Sequence, residues 1–381
     1  MKLIYKPLYL FILKMVPSGR LLSLDVMRGI TIAGMILVND PGSWKYVYAP
    51  LRHAAWNGLT PTDLVFPFFM FIMGVSMYFS LQKYDFRLSQ QSVAKILRRT
   101  VLIFLVGFGL NVLGHISFYG FNDLQNIRLL GVMQRLALAY GAGSFIGLAV
   151  NRKYILYVAA FILAFYWALL ASTGSMDLSE NNLVAAVDRA LFGTNRMYSD
   201  YLPDGTRIAF DPEGLLSCLG SIAQVLFGFY IGKMIKDCRK DNERIIRNLF
   251  IFGTILLFSG LLLSYGCPIN KKLWSSTFVL ATCGFGSLFL ALLIWIIDIN
   301  GKKRWSLFFE AFGINPLYLY VQADILALLL GASGISAFFY MDIFRPLFGD
   351  YGGSLAWAVF FVVLNWIPGY WLYKKQIYIK L

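Results

Sequence analysis

Apolar runs of about 20 residues recur along this chain, and they constrain its fold more than any other feature of the sequence. A helix of about 20 apolar residues is long enough to cross the hydrocarbon core of a bilayer. Of the 381 residues, 58% are hydrophobic and only 14% are charged, whereas a water-soluble domain is about one quarter charged. The sequence therefore predicts an all-α, polytopic integral membrane helix bundle with about ten transmembrane helices.

The apolar runs place the predicted transmembrane helices at residues 22–39, 61–82, 96–115, 128–149, 154–171, 215–235, 248–265, 275–299, 306–331 and 352–374. Residues 333–350 form a shorter, proline-interrupted apolar stretch. There we predict a re-entrant or interfacial segment. The first apolar stretch, residues 8–16, is not followed by small residues typical of a cleavage site, so no cleavable signal peptide is expected.

Lysine and arginine predict the orientation, because both are enriched in the cytoplasmic connections of membrane proteins. With the N-terminus inside, cytoplasmic segments hold 23 of the 34 basic residues and outer connections hold 9. We therefore predict cytoplasmic termini, with an N-terminal segment (1–19) preceding a single transmembrane domain (20–381). The net charge of +14 then matches an anionic inner leaflet, so membrane lipids are expected partners and nucleic acid is not.

The four cysteines lie in or beside different predicted helices and show no CxxC spacing. We interpret them as small apolar packing residues, so neither a metal site nor a disulfide framework is expected. They are Cys218, Cys238, Cys267 and Cys283.

Two predicted outer loops, residues 40–60 and 172–214, are longer than simple turns, and loops of this length are usually functional or disordered. The second carries seven acidic residues against three arginines. An acidic outer surface would suit a cationic or hydroxylated substrate such as an amino sugar, although a merely solvated loop explains most of these carboxylates equally well. Asp211 and Glu213 are the exceptions, because they precede a predicted helix at a membrane boundary beside Gly214.

His53 is one of only two histidines and lies in the first long loop, close to Trp56 and Asn57. Histidine is the side chain best suited to exchange a proton near neutral pH, but a lone histidine in an apolar protein is more often structural. Asp63 follows ten residues later. Its carboxylate would either orient the imidazole or cap the helix that begins at Thr60-Pro61-Thr62-Asp63, and one side chain can serve both purposes.

Polar residues at the two ends of the first predicted helix have alternative interpretations. Asp25 and Arg28 are three residues apart on one helix face, where they would either form a structural ion pair or leave Arg28 to hold an anionic cytosolic ligand. Asn39 ends the same helix on the predicted outer side, where it would either orient a substrate or simply terminate the helix.

Further polar positions carry weaker indications. Gln134 and Arg135 would line a cavity or tie helices together, and Asn315, before a proline, would open backbone groups towards a cavity or kink a helix. Lys272 and Trp274, next to Lys271, would form a sugar platform or an interfacial anchor. The second histidine, His115, is interpreted as structural or interfacial.

Several motifs resemble the heparan-α-glucosaminide N-acetyltransferase family, whose bacterial branch includes proteins described as N-acetylglucosamine transporters. The most specific is His-Ala-Ala-Trp-Asn-Gly-Leu-Thr-Pro-Thr-Asp at residues 53–63, preceded by Ser-Leu-Asp-Val-Met-Arg-Gly at 23–29. Supporting similarity is found at Arg-Leu-Leu-Gly-Val-Met-Gln-Arg (128–135), Asp-Pro-Glu-Gly-Leu-Leu-Ser (211–217), Asn-Lys-Lys-Leu-Trp (270–274) and Ile-Asn-Pro-Leu-Tyr (314–318). The resemblance extends over nearly the whole chain from Arg20 onward.

The resemblance implies a transmembrane acyltransferase-like fold in the bacterial inner membrane. It also implies an enzyme that moves the acetyl group of cytosolic acetyl-CoA to a glucosamine-type amine on the periplasmic face. His53 would correspond to the family's essential histidine and act as the base, and Asn39 would correspond to the family's loop asparagine. Asp63 would be the carboxylate partner of His53. Direct transfer is favoured over an acetyl-histidine intermediate, since it requires one alignment of thioester and amine. The candidate contacts are Trp56, Asn57, Asp211, Glu213, Lys272 and Trp274 for substrate, and Arg28, Gln134, Arg135 and Asn315 for acetyl-CoA.

Two alternative functions are compatible with the same sequence. One is transport of an amino sugar, although no clear inverted repeat or symmetric pair of broken helices is present. The other is an O-acyltransferase that decorates a glycan of the cell envelope with the same base and donor. A homodimer is kept as one candidate oligomeric state.

Overall fold

The computed structural model describes residues 21–202, 204–238 and 241–379, so the predicted N-terminal segment 1–19 lies outside the described residues. The described chain is almost entirely helical, with one short hairpin. Its α-helices are α1 Leu22–Asn39, α2 Pro61–Leu81, α3 Gln90–Tyr119, α4 Val132–Ala149, α5 Ile155–Ser172, α6 Leu183–Phe192, α7 Cys218–Asp237, α8 Asn242–Leu263, α9 Ser276–Leu293, α10 Leu307–Ile314, α11 Pro316–Ala332, α12 Ile335–Phe338 and α13 Arg345–Lys374. The strands are β1 Ser199–Tyr201 and β2 Arg207–Ala209, and π-helical segments follow α9 (Ile294–Ile299) and α12 (Phe339–Phe344).

The lengths and hydropathy of these helices confirm the prediction of an all-α polytopic membrane protein. Within the described residues, eight helices are long and apolar enough to cross a membrane, and a ninth span results if α10 and α11, bent by 79°, are counted together. The predicted count of ten included residues 128–149. This segment does form α4, but α4 is not among the eight, because Gln134 and Arg135 lower the hydropathy of its first turn.

Residues 335–350, part of the segment predicted to be re-entrant or interfacial, are helical and belong to a stretch that runs from Ile335 to Lys374. That this segment is re-entrant or interfacial stays a prediction. Pro346 does not interrupt it because proline occupies the first turn of α13, where its missing N–H leaves no hydrogen bond unmade. The helix departs from regular helical geometry at Gly349, whose φ of 72° marks a kink.

The chain divides into two compact units. The first comprises residues 1–47 and 296–381, and the second comprises residues 48–295. In the first unit, α1 packs against α10 with almost no side chain between them. A Cβ on Gly313 would lie 2.0 Å from the carbonyl oxygen of Asp25, and one on Gly29 would overlap the carbonyl of Phe309. Small residues at such crossings allow helix backbones to approach closely inside a membrane.

The second unit, residues 48–295, contains α2 to α9 and the hairpin. Its central contact is between α2 and α7, where Gly74 and Gly228 face backbone directly: a Cβ on either would lie 2.1 Å from a carbonyl oxygen of the other helix. The four cysteines are buried and unbonded, which agrees with their interpretation as packing residues.

The long loop at residues 172–214 is folded rather than extended. It contains α6 and an antiparallel hairpin in which Asp200 of β1 pairs with Ile208 of β2. Its apolar side chains join Tyr166 of α5 and Leu273 in a buried cluster whose loop members include Val184 and Phe210. This cluster places the acidic loop directly over the segment that follows α8.

Candidate active site

Asp63 is positioned by the start of α2. Thr60 is the N-cap, Pro61 opens the first turn, and Asp63 closes a capping box. One carboxylate oxygen, Oδ2, accepts hydrogen bonds from the Thr60 N–H (3.1 Å), the Thr60 hydroxyl (2.9 Å) and the Ala54 N–H (3.1 Å). The side chain is fully buried. Helix-start chemistry therefore contributes to fixing the rotamer of this carboxylate.

The other oxygen of Asp63 contacts His53. The imidazole donates from Nδ1 to Oδ1 over 2.7 Å, while 43% of the histidine side chain remains exposed. Such a contact keeps the proton on Nδ1 and leaves Nε2 as the nitrogen that can accept one. The two interpretations of Asp63, helix cap and histidine partner, are thus realised by one side chain with its two oxygens.

Lys271 completes this cluster, whereas the sequence indicated it only as part of a sugar platform or an interfacial anchor with Lys272 and Trp274. Its Nζ lies 3.0 Å from His53 Nδ1, 3.5 Å from His53 Nε2 and 3.5 Å from Asp63 Oδ1. Burial lowers the pKa of Lys271 below its usual range, against the opposing attraction of Asp63 and Glu213. The only sequence signal was its place in the Asn-Lys-Lys-Leu-Trp motif, since 218 residues separate it from His53.

The His53 loop is held against the Lys271 loop by hydrogen bonds. Asn57 Oδ1 accepts from Asn270 Nδ2 over 3.1 Å. The Gly58 N–H donates to the carbonyl of Ile269 over 2.8 Å. Gly58 has a φ of 126°, a conformation that side-chain-bearing residues rarely adopt. Asn57 and Gly58 of the motif therefore have a structural role, because their hydrogen bonds bring His53 and Lys271 together.

Trp56 lies at the junction between the His53 loop and the folded outer loop. Its Nε1 donates to the carbonyl of Met176 over 3.0 Å, and its ring packs edge-on against Phe210 at 5.4 Å. The ammonium of Lys272 lies 5.9 Å from the ring centroid and forms an ion pair with Asp200 of β1. The structure thus brings Trp56, Lys272 and a carboxylate of the outer loop together.

Asp211 and Glu213, predicted as substrate carboxylates, are ion-paired to Arg128. The guanidinium binds both oxygens of Asp211, at 2.9 and 2.6 Å, and one oxygen of Glu213 at 2.5 Å. Asp211 is 1% exposed and also accepts from the backbone of Tyr198. Burial disfavours its charge, but Arg128 and the hydrogen bonds outweigh this and lower its pKa. Asp211 is therefore committed to this ion pair, and a substrate contact there stays a prediction.

Arg135 and Trp274 form a second buried pair below this cluster. The guanidinium lies 4.7 Å from the Trp274 ring centroid and donates to Pro212 O (2.7 Å) and to Ser217 Oγ. Trp274 is 1% exposed, and its Nε1 donates to Gln224 Oε1 over 3.0 Å. The indole is thus a packing partner for a buried cation, and its part in an outer sugar platform stays a prediction.

Several buried polar atoms of Arg135 and its neighbours have no hydrogen-bond partner in the described residues. Within the described residues, Nε and Nη1 of Arg135 and Oδ2 of Asp188 are buried and accept or donate no hydrogen bond. Burial raises the pKa of Asp188 to about 6. Gln134, the neighbouring candidate for acetyl-CoA, packs beside Gly107 of α3, and its Nε2 is also buried without a partner in this part of the chain.

The remaining candidates belong to the other unit, residues 1–47 and 296–381. Arg28 donates to Asp25 over 2.9 Å and to the carbonyl of Gly313 over 3.2 Å, which favours the structural ion pair. Asn315 uses both its polar atoms on the C-terminal segment, donating to Ile377 O (2.8 Å) and accepting from Ile379 N (2.7 Å). It therefore holds the tail at the bend between α10 and α11, and a ligand contact there stays a prediction. Asn39 is exposed at the end of α1.

Comparison with known proteins identifies a match to the family model described as "Heparan-alpha-glucosaminide N-acetyltransferase, catalytic" over residues 20–203. The mouse (Mus musculus) heparan-alpha-glucosaminide N-acetyltransferase is 28% identical over 365 residues, which cover 81% of this chain and 54% of the mouse protein. The human (Homo sapiens) protein of the same name is 27% identical over 364 residues, covering 80% of this chain and 53% of the human protein. The chain thus spans about half the length of these curated relatives.

Proposed function

Because the chain belongs to the heparan-alpha-glucosaminide N-acetyltransferase family, we propose that it is a membrane-embedded, acetyl-CoA-dependent N-acetyltransferase. Its acceptor is the amine of a glucosamine-type sugar, and His53 is its general base. The observation that carries this proposal is the 2.7 Å contact between His53 and the buried Asp63.

The chemistry requires a base of this kind. An amino sugar is mostly an ammonium ion near neutral pH, and only the neutral amine attacks a thioester. In the proposed reaction the amine nitrogen forms a bond to the acetyl carbonyl carbon, and the carbon–sulfur bond breaks. The ammonium first loses one proton to solvent. As the bond to the acetyl carbon forms, His53 Nε2 takes the second proton from the nitrogen and returns it to the departing CoA thiolate. Asp63 stabilises the imidazolium that exists between these two transfers.

Transfer is proposed to be direct, without an acetyl-histidine. The imidazole is already committed to Asp63 through Nδ1, and a single proton acceptor at Nε2 is all that direct attack requires. A covalent intermediate would need two successive alignments of the same ring nitrogen, first with the thioester and then with the amine. Donors for the oxyanion of the tetrahedral intermediate come, in this proposal, from backbone N–H groups.

The two substrates are proposed to arrive from opposite sides of the membrane. The excess of lysine and arginine in alternate connections supports an outer position for the His53 loop. CoA carries phosphates that are too polar to cross a bilayer, so its nucleotide end stays on the cytoplasmic side. The bacterial inner membrane, with the acceptor in the periplasm, is the location that fits this arrangement.

Acceptor recognition is proposed to involve the surface around Trp56. The ring is partly exposed beside the exposed Asn57 and offers an apolar face to the sugar, while Lys272 and Asp200 supply donors and acceptors for hydroxyl groups. Glu213 places a carboxylate near Lys271. Since Arg128 is shared by two carboxylates, this group carries one net negative charge, which favours a cationic acceptor.

The proposal is tested by mixing the purified protein with acetyl-CoA and glucosamine and measuring free thiol and N-acetylated sugar. Wild type is expected to release one thiol per acetylated sugar, and His53→Ala is expected to lose at least 99% of this rate. His115→Ala is the matched control, because it removes the other histidine, whose imidazole hydrogen-bonds to Asn122 O and packs against the Tyr119 ring, and it should retain the rate.

Three results would contradict the proposal, each in a different way. Uptake of labelled amino sugar into proteoliposomes without thiol release would indicate a transporter. Thiol release only with acceptors that lack an amine would indicate an O-acyltransferase. Wild-type activity in His53→Ala would leave the acetyltransferase without its proposed base.

A further inference from the structure

Three ionisable groups meet at His53 within hydrogen-bond distance or close to it. His53 Nδ1 is 2.7 Å from Asp63 Oδ1 and 3.0 Å from Lys271 Nζ. Lys271 Nζ is in turn 3.5 Å from Asp63 Oδ1. The imidazole is therefore flanked by one negative and one positive charge at nearly equal distances.

The carboxylate that orients the general base also acts on its charge. At 2.7 Å, Asp63 favours the imidazolium over the neutral imidazole, and only the neutral imidazole can accept a proton from the acceptor amine. An ammonium at 3.0 Å has the opposite effect on the same equilibrium. Asp63 can then orient the imidazole by accepting its hydrogen bond without favouring the protonated ring.

The position of Lys271 is fixed by its loop. Asn270 on one side accepts from the Leu273 N–H (2.8 Å) and donates to Asn57 (3.1 Å), and Trp274 on the other side is buried. The Lys271 side chain is itself only 20% exposed. A lysine held this firmly keeps its charge at a fixed distance from the histidine, unlike a mobile surface lysine.

Other charges near this cluster do not perform the same task. Glu213 attracts Lys271 but is hydrogen-bonded to Arg128, and Arg135, which repels Lys271, is bound to Pro212 and Ser217. The neighbouring Lys272 is directed to Asp200. Of the charged groups that face Lys271, only Asp63 also contacts His53 in the described residues.

We propose that Lys271 is a positioning residue whose ammonium offsets the charge of Asp63, so that His53 stays neutral and ready to accept a proton at mildly acidic pH. The inference rests on the proposed function of His53 as a base. Its consequence is a lower pH limit of activity set by Lys271. Replacing Lys271 with methionine should move this limit upward by about one pH unit, the size expected for a charge at this distance after solvent screening.

The direct experiment is an NMR titration of His53. The chain has only two histidines, so histidine-labelled protein in a His115→Gln background gives a single imidazole signal. In detergent micelles, Lys271→Met should shift the titration midpoint of this signal upward by about one pH unit. Lys271→Arg keeps the positive charge and should restore the midpoint to within about 0.3 unit. Lys272→Met removes the adjacent lysine and should leave the midpoint in place.

Kinetics provide the second readout. With saturating acetyl-CoA, the acid limb of kcat/KM should shift by the same amount in Lys271→Met, while the rate above pH 9 should approach that of wild type. Loss of rate by the same factor at every pH, with an unshifted NMR midpoint, would overturn the proposal and point to Lys271 as a donor to the oxyanion instead. A midpoint that falls or does not move in folded Lys271→Met protein would also overturn it.

The two readouts separate this inference from the proposed function. The NMR titration needs no turnover, so an inactive wild type combined with a shifted midpoint would refute the acetyltransferase while leaving the charge balance at His53 established. An active wild type with an unshifted midpoint in Lys271→Met would support the acetyltransferase and refute the charge balance at His53.

Discussion

Replacing Asp63 with asparagine should separate the two roles of this side chain. The amide keeps the size of the carboxylate but has one oxygen instead of two. Oδ2 of Asp63 receives three hydrogen bonds, from Thr60 and Ala54, whereas Oδ1 receives one from His53. The amide oxygen should therefore turn towards the three donors, which places the NH₂ group against His53 Nδ1. Nδ1 must then accept, the proton moves to Nε2, and the base is lost.

The expected magnitude follows from this change of tautomer. Loss of a general base costs about 10²- to 10⁴-fold in kcat. KM for the acceptor should change less than about threefold, because Asp63 is fully buried and does not face the sugar. The free energy of unfolding should fall by only about 1 kcal/mol, since the amide oxygen still accepts from the N-cap residue.

The assay is steady-state thiol release with varied glucosamine, combined with thermal unfolding in detergent. Thr60→Val is the matched control, because it removes the hydroxyl, whose single proton has Asp63 Oδ2 and Arg52 O as alternative acceptors, without touching His53. It should lose about 1 kcal/mol of stability and less than about threefold of kcat. Equal losses of kcat in Asp63→Asn and Thr60→Val would refute the reasoning, because they would reduce Asp63 to a helix cap.

Two further predictions concern buried charges of the same unit. Arg128→Leu leaves Asp211 buried without a counter-ion and should lower the free energy of unfolding by about 3–5 kcal/mol, measured by thermal or denaturant unfolding, whereas an unchanged midpoint would contradict the ion-pair assignment. Burial raises the pKa of Asp188 to about 6 from 3.8, so its contribution to stability is present below pH 3.8 and is lost as the pH rises through 6, about 3 kcal/mol in all. Asp188→Asn, which can still accept from Leu215 N–H, should therefore be more stable than wild type at pH 8 and equally stable at pH 4; lower stability at pH 8 would show that the charge is needed to balance its surroundings.

The transmembrane helices were predictable because a bilayer demands long apolar segments, and such segments are visible without any knowledge of tertiary contacts. The exceptions have local causes. The segment 128–149 matched a span in length, but Gln134 and Arg135 make its first turn polar. The segment around Pro346 suggested an interruption, yet proline is tolerated in a first helical turn.

The pairing of His53 with Asp63 was also predictable, since helix-cap chemistry fixes Asp63 and only ten residues separate the two side chains. Contacts between distant segments were not. Arg128 is 83 residues from Asp211, so nothing in the local sequence showed that the candidate substrate carboxylate had a counter-ion. Lys271 and Lys272 are adjacent and chemically identical, but one faces His53 and the other faces Asp200. The choice between them is made by the tertiary fold.

The central claim is that His53 activates an amine on one side of the membrane for a thioester delivered from the other. The most direct test uses proteoliposomes of uniform orientation, with acetyl-CoA only in the compartment facing the cytoplasmic connections and glucosamine only in the opposite one. Wild type should produce N-acetylglucosamine in the glucosamine compartment and free CoA in the other, and His53→Ala should produce neither. Product formation only when both substrates share one compartment, or undiminished product from His53→Ala, would contradict the account.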